Sequence, residues 1–155
     1  MCAVPGWRVS RPTTCRARRK HCSENVTIAR KKDEAREIAR LCARIADDKK
    51  GEHILVLKMT DLIVLTDYFV ITHGNNPRQV RAIADEISRT MKKLKVPCLS
   101  IDGFEEARWV LLDYVDVVVH VFDESTREFY DLEHLWADAP RTRWRKTTRK
   151  KGKTK

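Results

Sequence analysis

The best candidates for metal ligands are scattered along the sequence, and they are His73, Cys98, Asp113, Asp116, His120 and His134. Their spacings match none of the known zinc-ligand patterns. Asp113 and Asp116 bracket a short break between two apolar runs, and paired carboxylates can hold a divalent cation through their oxygen atoms. Aspartate also forms turns by bonding to neighbouring backbone, which requires no metal. We interpret the pair as turn residues and expect no metal and no other cofactor.

Catalytic motifs are the next possibility, and the sequence does not contain the common ones. It has no G-x-S-x-G, no G-x-x-x-x-G-K-[ST] and no G-x-G-x-x-G, and its 5 glycines leave little material for a phosphate-binding loop. His120 lies inside an apolar run, where a histidine is more often hydrogen-bonded within the fold than a metal ligand. We therefore predict that the protein is not an enzyme.

The central element of the predicted fold is a hairpin over residues 108–122, where two apolar runs are separated by residues 113–116. Branched side chains favour strands and aspartate favours turns. The second run is almost continuously apolar, which is typical of a central strand covered on both faces. Trp109 and Tyr114 lie at the ends of the first run. Aromatic residues at strand ends either pack or form a recognition surface, and for any one of them packing is the more frequent role.

The remaining elements follow from periodicity and from turn signals. Asn76, Pro77 and Gln79 give the clearest helix start, with an N-cap, a first-turn proline and a capping-box partner. The predicted elements are a helix over 33–50, strands over 53–59 and 68–72, a helix from 76, a strand over 98–101, the hairpin, and a helix over 125–136. This order predicts an α/β fold, with a mixed sheet of about five strands and flanking helices.

The last predicted helix was assigned from its apolar positions. They fall on one helix face, which we expect to be buried, and they are Phe129, Leu132, Leu135 and Trp136.

Charge divides the chain into an acidic body and two basic ends, although the whole chain carries +10 at pH 7. Residues 1–23 hold six basic residues and residues 140–155 hold nine, with no acid in either stretch. We predict a disordered extension over 1–26, a folded domain over 27–139 and a disordered tail over 140–155. The acidic body suits a basic protein surface and argues against a nucleic-acid groove on the domain. The ends could contact nucleic acid or serve as solubilising extensions.

Cysteine usage and the N-terminus bear on localisation. The count of 5 cysteines is odd and includes no C-x-x-C, so a reducing compartment such as the cytoplasm is favoured. No apolar run is long enough for a membrane span, and the N-terminus has no secretory signal. Its arginine-rich, acid-free character is also typical of transit peptides, which keeps a mitochondrion or plastid as the alternative.

Three groups of motifs point to a known family. The first comprises Thr66-Asp67-Tyr68-Phe69-Val70-Ile71, Arg78-Gln79-Val80 and Ala82-Ile83-Ala84-Asp85. The second comprises Trp109-Val110-Leu111-Leu112-Asp113-Tyr114 and Asp116-Val117-Val118-Val119-His120-Val121-Phe122. The third comprises Arg127, Phe129-Tyr130, Leu132-Glu133 and Leu135-Trp136. Across about residues 33–139 this combination resembles the ribosomal silencing factor (Iojap-related) family, and three spaced motifs make the resemblance specific.

The resemblance implies a fold similar to nucleotidyltransferases but without their active-site residues. A nucleotidyltransferase-like enzyme is the alternative, but it would need a Gly-Ser pair with paired aspartates on adjacent strands, which we do not find. It implies a protein that is not an enzyme and that binds the large ribosomal subunit through large-subunit ribosomal protein fourteen. Bound there, it would sterically block joining of the small subunit and repress translation. Organelle members act in assembly of the large subunit, which is the alternative role. A homodimer in the free state is also consistent with the resemblance. The basic ends are not part of the core that the family shares, and from its charge we hypothesise that the basic tail over 140–155 adds contacts to ribosomal RNA.

The expected partner-binding residues lie in the matched motifs. The main ones are Trp109, Asp113, Tyr114 and Asp116, and the supporting ones are Tyr68, His120 and Arg127. Core structure is the favoured alternative for Tyr68 and His120, whereas Arg127 could equally pair with an acidic neighbour on the domain.

The sequence departs from the family pattern in two places. Val115 stands where members usually have glycine, and Asp102-Gly103 stands where they usually have Glu-Gly. Glycine tolerates a positive φ and valine does not, so we expect the hairpin turn to differ in shape.

Overall fold

The computed structural model describes the backbone of residues 19–145 and the side chains of residues 33–145. The chain divides into two compact units, Met1–Lys31 and Lys32–Lys155. In the first unit the described residues are helical. The predictions of disorder over residues 1–18 and 146–155 lie outside the described residues. The sheet and the candidate site belong to the second unit.

Five strands form one mixed sheet, as predicted. They are β1 (Glu52–Lys58), β2 (Tyr68–Gly74), β3 (Ser100–Asp102), β4 (Trp109–Asp113) and β5 (Val117–Asp123). Their order across the sheet is β1-β2-β5-β4-β3, in which β2 and β5 are parallel and the other neighbours are antiparallel. The hairpin prediction is confirmed, since β4 pairs with β5 in the centre. The third strand lies slightly later than predicted.

Four helices accompany the sheet: α1 (Arg19–Asp48), α2 (Pro77–Lys93), α3 (Glu124–Tyr130) and α4 (Leu132–Leu135). The start of α2 is confirmed, because the side chain of Asn76 accepts a hydrogen bond from the Gln79 backbone at 2.8 Å. Helix α1 begins at Arg19, so the prediction of disorder is wrong for residues 19–26. The periodic apolar residues show only which part of a helix packs against the core, and the helix itself can extend beyond that part.

One face of the sheet is covered by α1 and α2. Side chains at helical spacing are buried against it, namely Ala35, Ala39, Cys42 and Ala46 from α1 and Val80, Ile83, Ala84, Ile87 and Met91 from α2. They pack on alternate strand residues such as Val70, Val110 and Val119. The periodicity of both helices is therefore confirmed, and this layer forms the main hydrophobic core.

The predicted single helix over residues 125–136 is wrong. Asp131 lies between α3 and α4 with a φ of 39°, in the left-handed region, and this breaks the chain into two short helices. Aspartate tolerates this conformation better than most residues. The break also changes the buried face, because Phe129 is 81% exposed and Leu135 is 67% exposed. Leu132 and Trp136 still pack against a second, smaller core.

Residues 140–145, which we call the edge segment, run along the free edge of β1. The Lys58 backbone N–H donates to the Pro140 carbonyl at 2.9 Å, and the Thr142 N–H donates to the Val56 carbonyl at 2.7 Å. The prediction of a disordered tail is thus wrong for these residues. An edge strand offers unpaired backbone groups, and here the chain itself satisfies them.

Membrane insertion through a helix has no support in the part of the chain that the structure describes. None of its helices is both long enough and apolar enough to cross a bilayer.

Candidate partner-binding site

The face of the sheet opposite α1 and α2 carries the candidate site. Strand alternation places side chains from three adjacent strands on this open face: Phe69, Ile71 and His73 from β2, Trp109, Leu111 and Asp113 from β4, and Val118, His120 and Phe122 from β5. Residues from α4 and its flank, Leu132 and Trp136, cover only part of it. Phe69, Trp109, Leu111 and Val118 are consequently half-buried rather than buried.

Aromatic rings form a continuous layer on the open face. The Trp109 ring stacks on Phe122, with centroids 5.1 Å apart, and lies 4.9 Å from the ring of Tyr130. Phe69 meets His120 edge to face at 5.0 Å. Each such pair contributes about 0.5–1.5 kcal/mol beyond its buried area. The aromatic layer is therefore a fixed apolar surface, and a partner that covers it need not order flexible side chains.

Trp109 is the predicted contact residue that the structure places partly exposed within the aromatic layer. Its indole Nε1 donates to Nδ1 of His120 at 3.3 Å, which fixes the ring orientation, while part of the ring remains exposed. Tryptophan in this setting is the residue type most often found at the centre of protein interfaces.

His120 lies within the sheet, as expected for a core residue. It is 6% exposed, and burial lowers its pKa to about 4, so the ring is neutral at pH 7. Because Nδ1 accepts from Trp109, the proton of the neutral ring is on Nε2. That atom is buried and has no hydrogen-bond partner in the described structure.

The burial of Tyr114 and Tyr68 is inconsistent with a direct contact to a partner. Tyr114 is 4% exposed and Tyr68 is 6% exposed, and both belong to the core under α1 and α2. Burial raises the pKa of the Tyr114 hydroxyl. Trp109 and Tyr114 are an odd number of positions apart, so strand alternation sends their side chains to opposite faces. The prediction that both contact one partner surface is therefore not supported by their placement.

Asp113 and Asp116 shape the hairpin turn. The Asp113 Oδ1 accepts from the Val115 backbone N–H at 2.8 Å, which confirms the turn interpretation. The Asp116 carbonyl accepts from the Asp67 and Tyr68 N–H groups at 2.9 and 3.1 Å, so it joins the turn to the start of β2. Both aspartates are half-exposed and lie at the tip of the hairpin. They can therefore contribute negative charge at one end of the open face.

Arg127 has a structural role. Its guanidinium pairs with Glu133, lies 2.9 Å from Nδ1 of His73 and donates to the His53 carbonyl at 2.7 Å. Pairing with an acidic neighbour was the equal alternative to partner binding for Arg127, and the structure shows that pairing. Burial lowers the pKa of His73, and the adjacent Arg127 charge lowers it further. A neutral His73 can accept the Arg127 hydrogen bond, and the arginine fastens α3 and α4 to β1 and β2.

The exposure of several apolar residues was not predicted from the sequence, and burial was expected for Phe129. Phe129 packs on Tyr130 with ring centroids 5.1 Å apart, so it extends the aromatic layer outwards. In the β1–β2 connection Val64 is fully exposed and Leu65 is 88% exposed. Neighbouring Ile63 packs on the small core of the open face. Contiguous exposed apolar patches mark interaction surfaces, whereas single exposed apolar residues are common on any protein. For Val64 and Leu65, the sequence signal was the presence of branched residues in a connection.

Together these features define a mixed α/β domain whose sheet presents a half-buried aromatic face flanked by carboxylates, which is suited to binding another macromolecule. Among the side chains of residues 33–145, no three His, Cys, Asp or Glu residues are arranged to hold a metal ion. The arrangement can therefore supply apolar area, fixed ring orientation and negative charge.

Comparison with known proteins identifies the family. The family described as "Ribosomal silencing factor during starvation" matches residues 32–155, and the chain belongs to it. Ribosomal silencing factor RsfS of Bacillus subtilis is 47% identical over 105 residues, covering 68% of this chain and 89% of the relative. A crystal structure of a Bacillus halodurans protein matches at 40% identity with a TM-score of 0.63, covering 70% of this chain and 98% of that chain.

A more distant relative comes from mouse. It carries the name "Mitochondrial assembly of ribosomal large subunit protein 1" and is 34% identical over 91 residues, covering 57% of this chain and 40% of the relative.

Proposed function

We propose that this protein represses translation by binding the large ribosomal subunit and sterically blocking joining of the small subunit. The observation that carries the proposal is the half-exposed Trp109, held between Phe122 and Tyr130 on the open face of a ribosomal silencing factor domain. The direct partner we propose is large-subunit ribosomal protein fourteen. No chemical step is needed, because a bound domain of this size excludes another body from the surface that it covers.

Charge supports a basic protein as the partner. Residues 24–139 contain 17 basic and 22 acidic residues, so the body attracts a positively charged surface. In such an interface the aromatic layer supplies the desolvated centre. Asp113 and Asp116 at the hairpin tip orient the partner and increase the association rate. We therefore propose that the contact comprises the open face and the hairpin tip, with Phe129 as an added contact.

A subunit-joining experiment tests the proposal. Purified large and small subunits are mixed with the protein in excess, and whole ribosomes are measured on sucrose gradients. We expect fewer whole ribosomes and expect the protein to sediment with large subunits. Normal joining in the presence of excess protein would contradict the proposal.

Variants locate the contact surface. Trp109→Ala should abolish co-sedimentation, and Phe129→Ala should weaken it severalfold. Phe129 is 81% exposed, so its loss leaves the fold intact and separates binding from folding. Leu94→Ala is the matched control, because Leu94 is an exposed apolar residue next to α2, away from the open face. Unchanged co-sedimentation of the first two variants would exclude the open face as the surface that contacts the large subunit.

Assembly of the large subunit is the second candidate function, and the name of the mouse relative favours it. The two functions predict different locations, the cytoplasm for the repressor and a mitochondrion or plastid for the assembly factor. Mass spectrometry of the mature N-terminus in cells separates them. An intact N-terminus supports the repressor, whereas removal of the basic stretch supports the assembly factor.

Two further partners belong to the same proposal. The basic tail would add contacts to ribosomal RNA, and two copies would form a homodimer in the absence of ribosomes. Sedimentation equilibrium of the free protein tests the homodimer, since a monomer mass at micromolar concentration would contradict it.

A further inference from the structure

A second surface, away from the open face, carries strong positive charge. It is a groove between α1 and the edge segment, and its charged lining residues comprise seven basic side chains and one acidic side chain: Arg36, Arg40, Arg44, Lys58, Arg141, Arg143, Arg145 and Glu37. We call this the basic groove. It was not expected, because the folded body as a whole is acidic. Basic side chains are concentrated in this groove, although acidic residues outnumber basic ones over residues 24–139.

The basic groove has two ordered rows of arginine. Arg36, Arg40 and Arg44 follow each other at one-turn spacing along α1, with a rise of about 6 Å per step. In the extended edge segment, arginines at every second position are about 6.5 Å apart. The Arg40 Nε donates to the Arg143 carbonyl at 3.2 Å, which places the two rows side by side. The groove is therefore bordered on both sides by cations at similar intervals.

Much of this charge is not neutralised within the protein. Glu37 pairs with Arg40 at 2.8 Å and lies 3.8 Å from Arg44. Arg36, Arg141 and Arg143 are exposed. Across residues 33–145, no carboxylate forms an ion pair with any of these three arginines.

The remaining groove cations are partly compensated. Lys58 pairs with Asp61 at 2.8 Å, and Arg145 pairs with Asp47 at 3.2 Å. The Nε of Arg44 is buried and has no acceptor within the described structure. The groove thus retains donors and positive charge for an anionic ligand.

Trp144 fixes the edge segment in place. Its indole Nε1 donates to the Ile54 carbonyl at 3.2 Å, and its half-buried ring packs on the main core. The Arg145 guanidinium lies 4.9 Å from the ring centroid, at cation–π distance. The arginine row of the edge segment is consequently ordered before a ligand arrives, which reduces the entropic cost of binding.

We propose that the basic groove binds the sugar-phosphate backbone of RNA. Guanidinium groups bind phosphate oxygens through paired hydrogen bonds, and two arginine rows can follow the successive phosphates of one strand. The inference rests on the proposed function in one respect, since the RNA would be ribosomal RNA beside the docking surface on the large subunit. It assigns RNA contact to α1 of the folded body together with the edge segment, which is the ordered first part of the basic tail.

Salt dependence provides the test. Binding of the full chain to a fluorescein-labelled RNA hairpin is measured by anisotropy between 50 and 300 mM KCl. The variant Arg36→Gln/Arg141→Gln/Arg143→Gln removes three cations that have no described ion pair. Each lost phosphate contact lowers the slope of log K against log salt by about 0.7–0.9. We expect the slope to fall by about 2 and the affinity in 100 mM KCl to fall more than tenfold.

A charge-matched control distinguishes the groove from general attraction. The variant Lys92→Gln/Lys93→Gln/Lys95→Gln removes the same charge at the exposed end of α2. It should keep the wild-type slope. Equal losses in both variants, or no loss in the groove variant, would overturn the proposal. Equally tight, groove-dependent binding of a polyglutamate peptide would assign the groove to an acidic protein segment and also overturn it.

The same variants keep the two proposals separate. If wild-type protein fails to sediment with large subunits while the groove variant still loses RNA affinity, the proposed function fails and the RNA site remains. If wild-type protein sediments with large subunits while the groove variant binds the RNA hairpin normally, the RNA site fails and the proposed function remains.

Discussion

In the hairpin turn Val115 has a φ of 69°, a left-handed conformation that is unfavourable for a branched side chain. The structure keeps this turn because Asp113 accepts the Val115 N–H and β4 pairs with β5 on both sides. The expected departure at this residue therefore takes the form of strain within a formed hairpin.

Relief of this strain is a testable prediction. Val115→Gly should raise the free energy of unfolding by about 0.5–1 kcal/mol, since the left-handed penalty of about 1–2 kcal/mol exceeds the entropic cost of glycine. Val64→Gly is the matched control, because Val64 is fully exposed and has no positive φ. That variant should lower stability slightly. Urea unfolding measures both, and a loss of stability in Val115→Gly would contradict the strain.

The pH dependence of stability depends on His120. Burial lowers its pKa to about 4 in the folded protein, whereas in the unfolded chain it is about 6.5. Between these values the unfolded state binds more protons, so stability falls as the pH falls through this window. The lowered pKa of His73 acts in the same direction.

We expect His120 to account for a loss of about 2 kcal/mol in unfolding free energy between pH 7 and pH 5. His120→Leu should remove most of that difference, while leaving the contribution of His73. Urea unfolding of wild type and variant at both pH values measures it. An equally large pH effect in the variant would show that His120 is not the group responsible.

The short helices α3 and α4 are stabilised by contacts with the sheet more than by their own helix propensity. Neither is long enough to be stable alone. Arg127, on α3, bonds to carbonyls and to His73 across β1 and β2, while Glu133 on α4 pairs with the same guanidinium. The sequence pattern over 125–136 could not reveal this division. It depends on the left-handed Asp131 and on partners that are distant in sequence.

Loss of Arg127 should therefore release both helices. Arg127→Ala should lower the free energy of unfolding by about 3 kcal/mol, since it leaves buried acceptors and the Glu133 carboxylate without their donor. Arg127→Lys should recover only part, because an ammonium group cannot reproduce the guanidinium geometry.

Arg89→Ala is the control for an arginine in an ion pair. Its side chain is 66% exposed and pairs with Asp85 on the same helix, so the expected change is below about 0.5 kcal/mol. Thermal and urea unfolding measure the three variants. Similar small effects at both arginines would contradict the fastening role of Arg127.

At the scale of the whole molecule, the mixed sheet and the elements with strong local signals were predicted, whereas the course of the edge segment along β1 was not. The period of α2, its Asn76 cap and the β4–β5 hairpin lie within short stretches, so the sequence was sufficient to predict them. The ordered edge segment required knowledge of which strand has a free edge. Its run of basic residues resembled a disordered tail, and the backbone groups that it satisfies belong to β1.

The residues of the candidate site were likewise predicted only in part. Residue type and family resemblance led to Trp109, which lies half-exposed in the aromatic layer. They also led to Tyr114, although strand alternation alone places it on the opposite face. The exposure of Phe129 depends on the break at Asp131, so it could not be predicted before the fold was known.

Removal of the edge segment tests whether this segment protects the edge of the sheet at β1. Truncation after residue 139 removes the hydrogen bonds of Pro140 and Thr142 to β1 and the Trp144 bond to Ile54. At about 1 kcal/mol each, their loss should lower the free energy of unfolding by about 3 kcal/mol. The exposed strand edge should also promote self-association, which light scattering after size-exclusion chromatography detects. Truncation after residue 145 removes basic residues but leaves the segment in place, so it should leave stability and mass nearly unchanged. Equal effects of the two truncations would show that β1 does not depend on the segment for its protection.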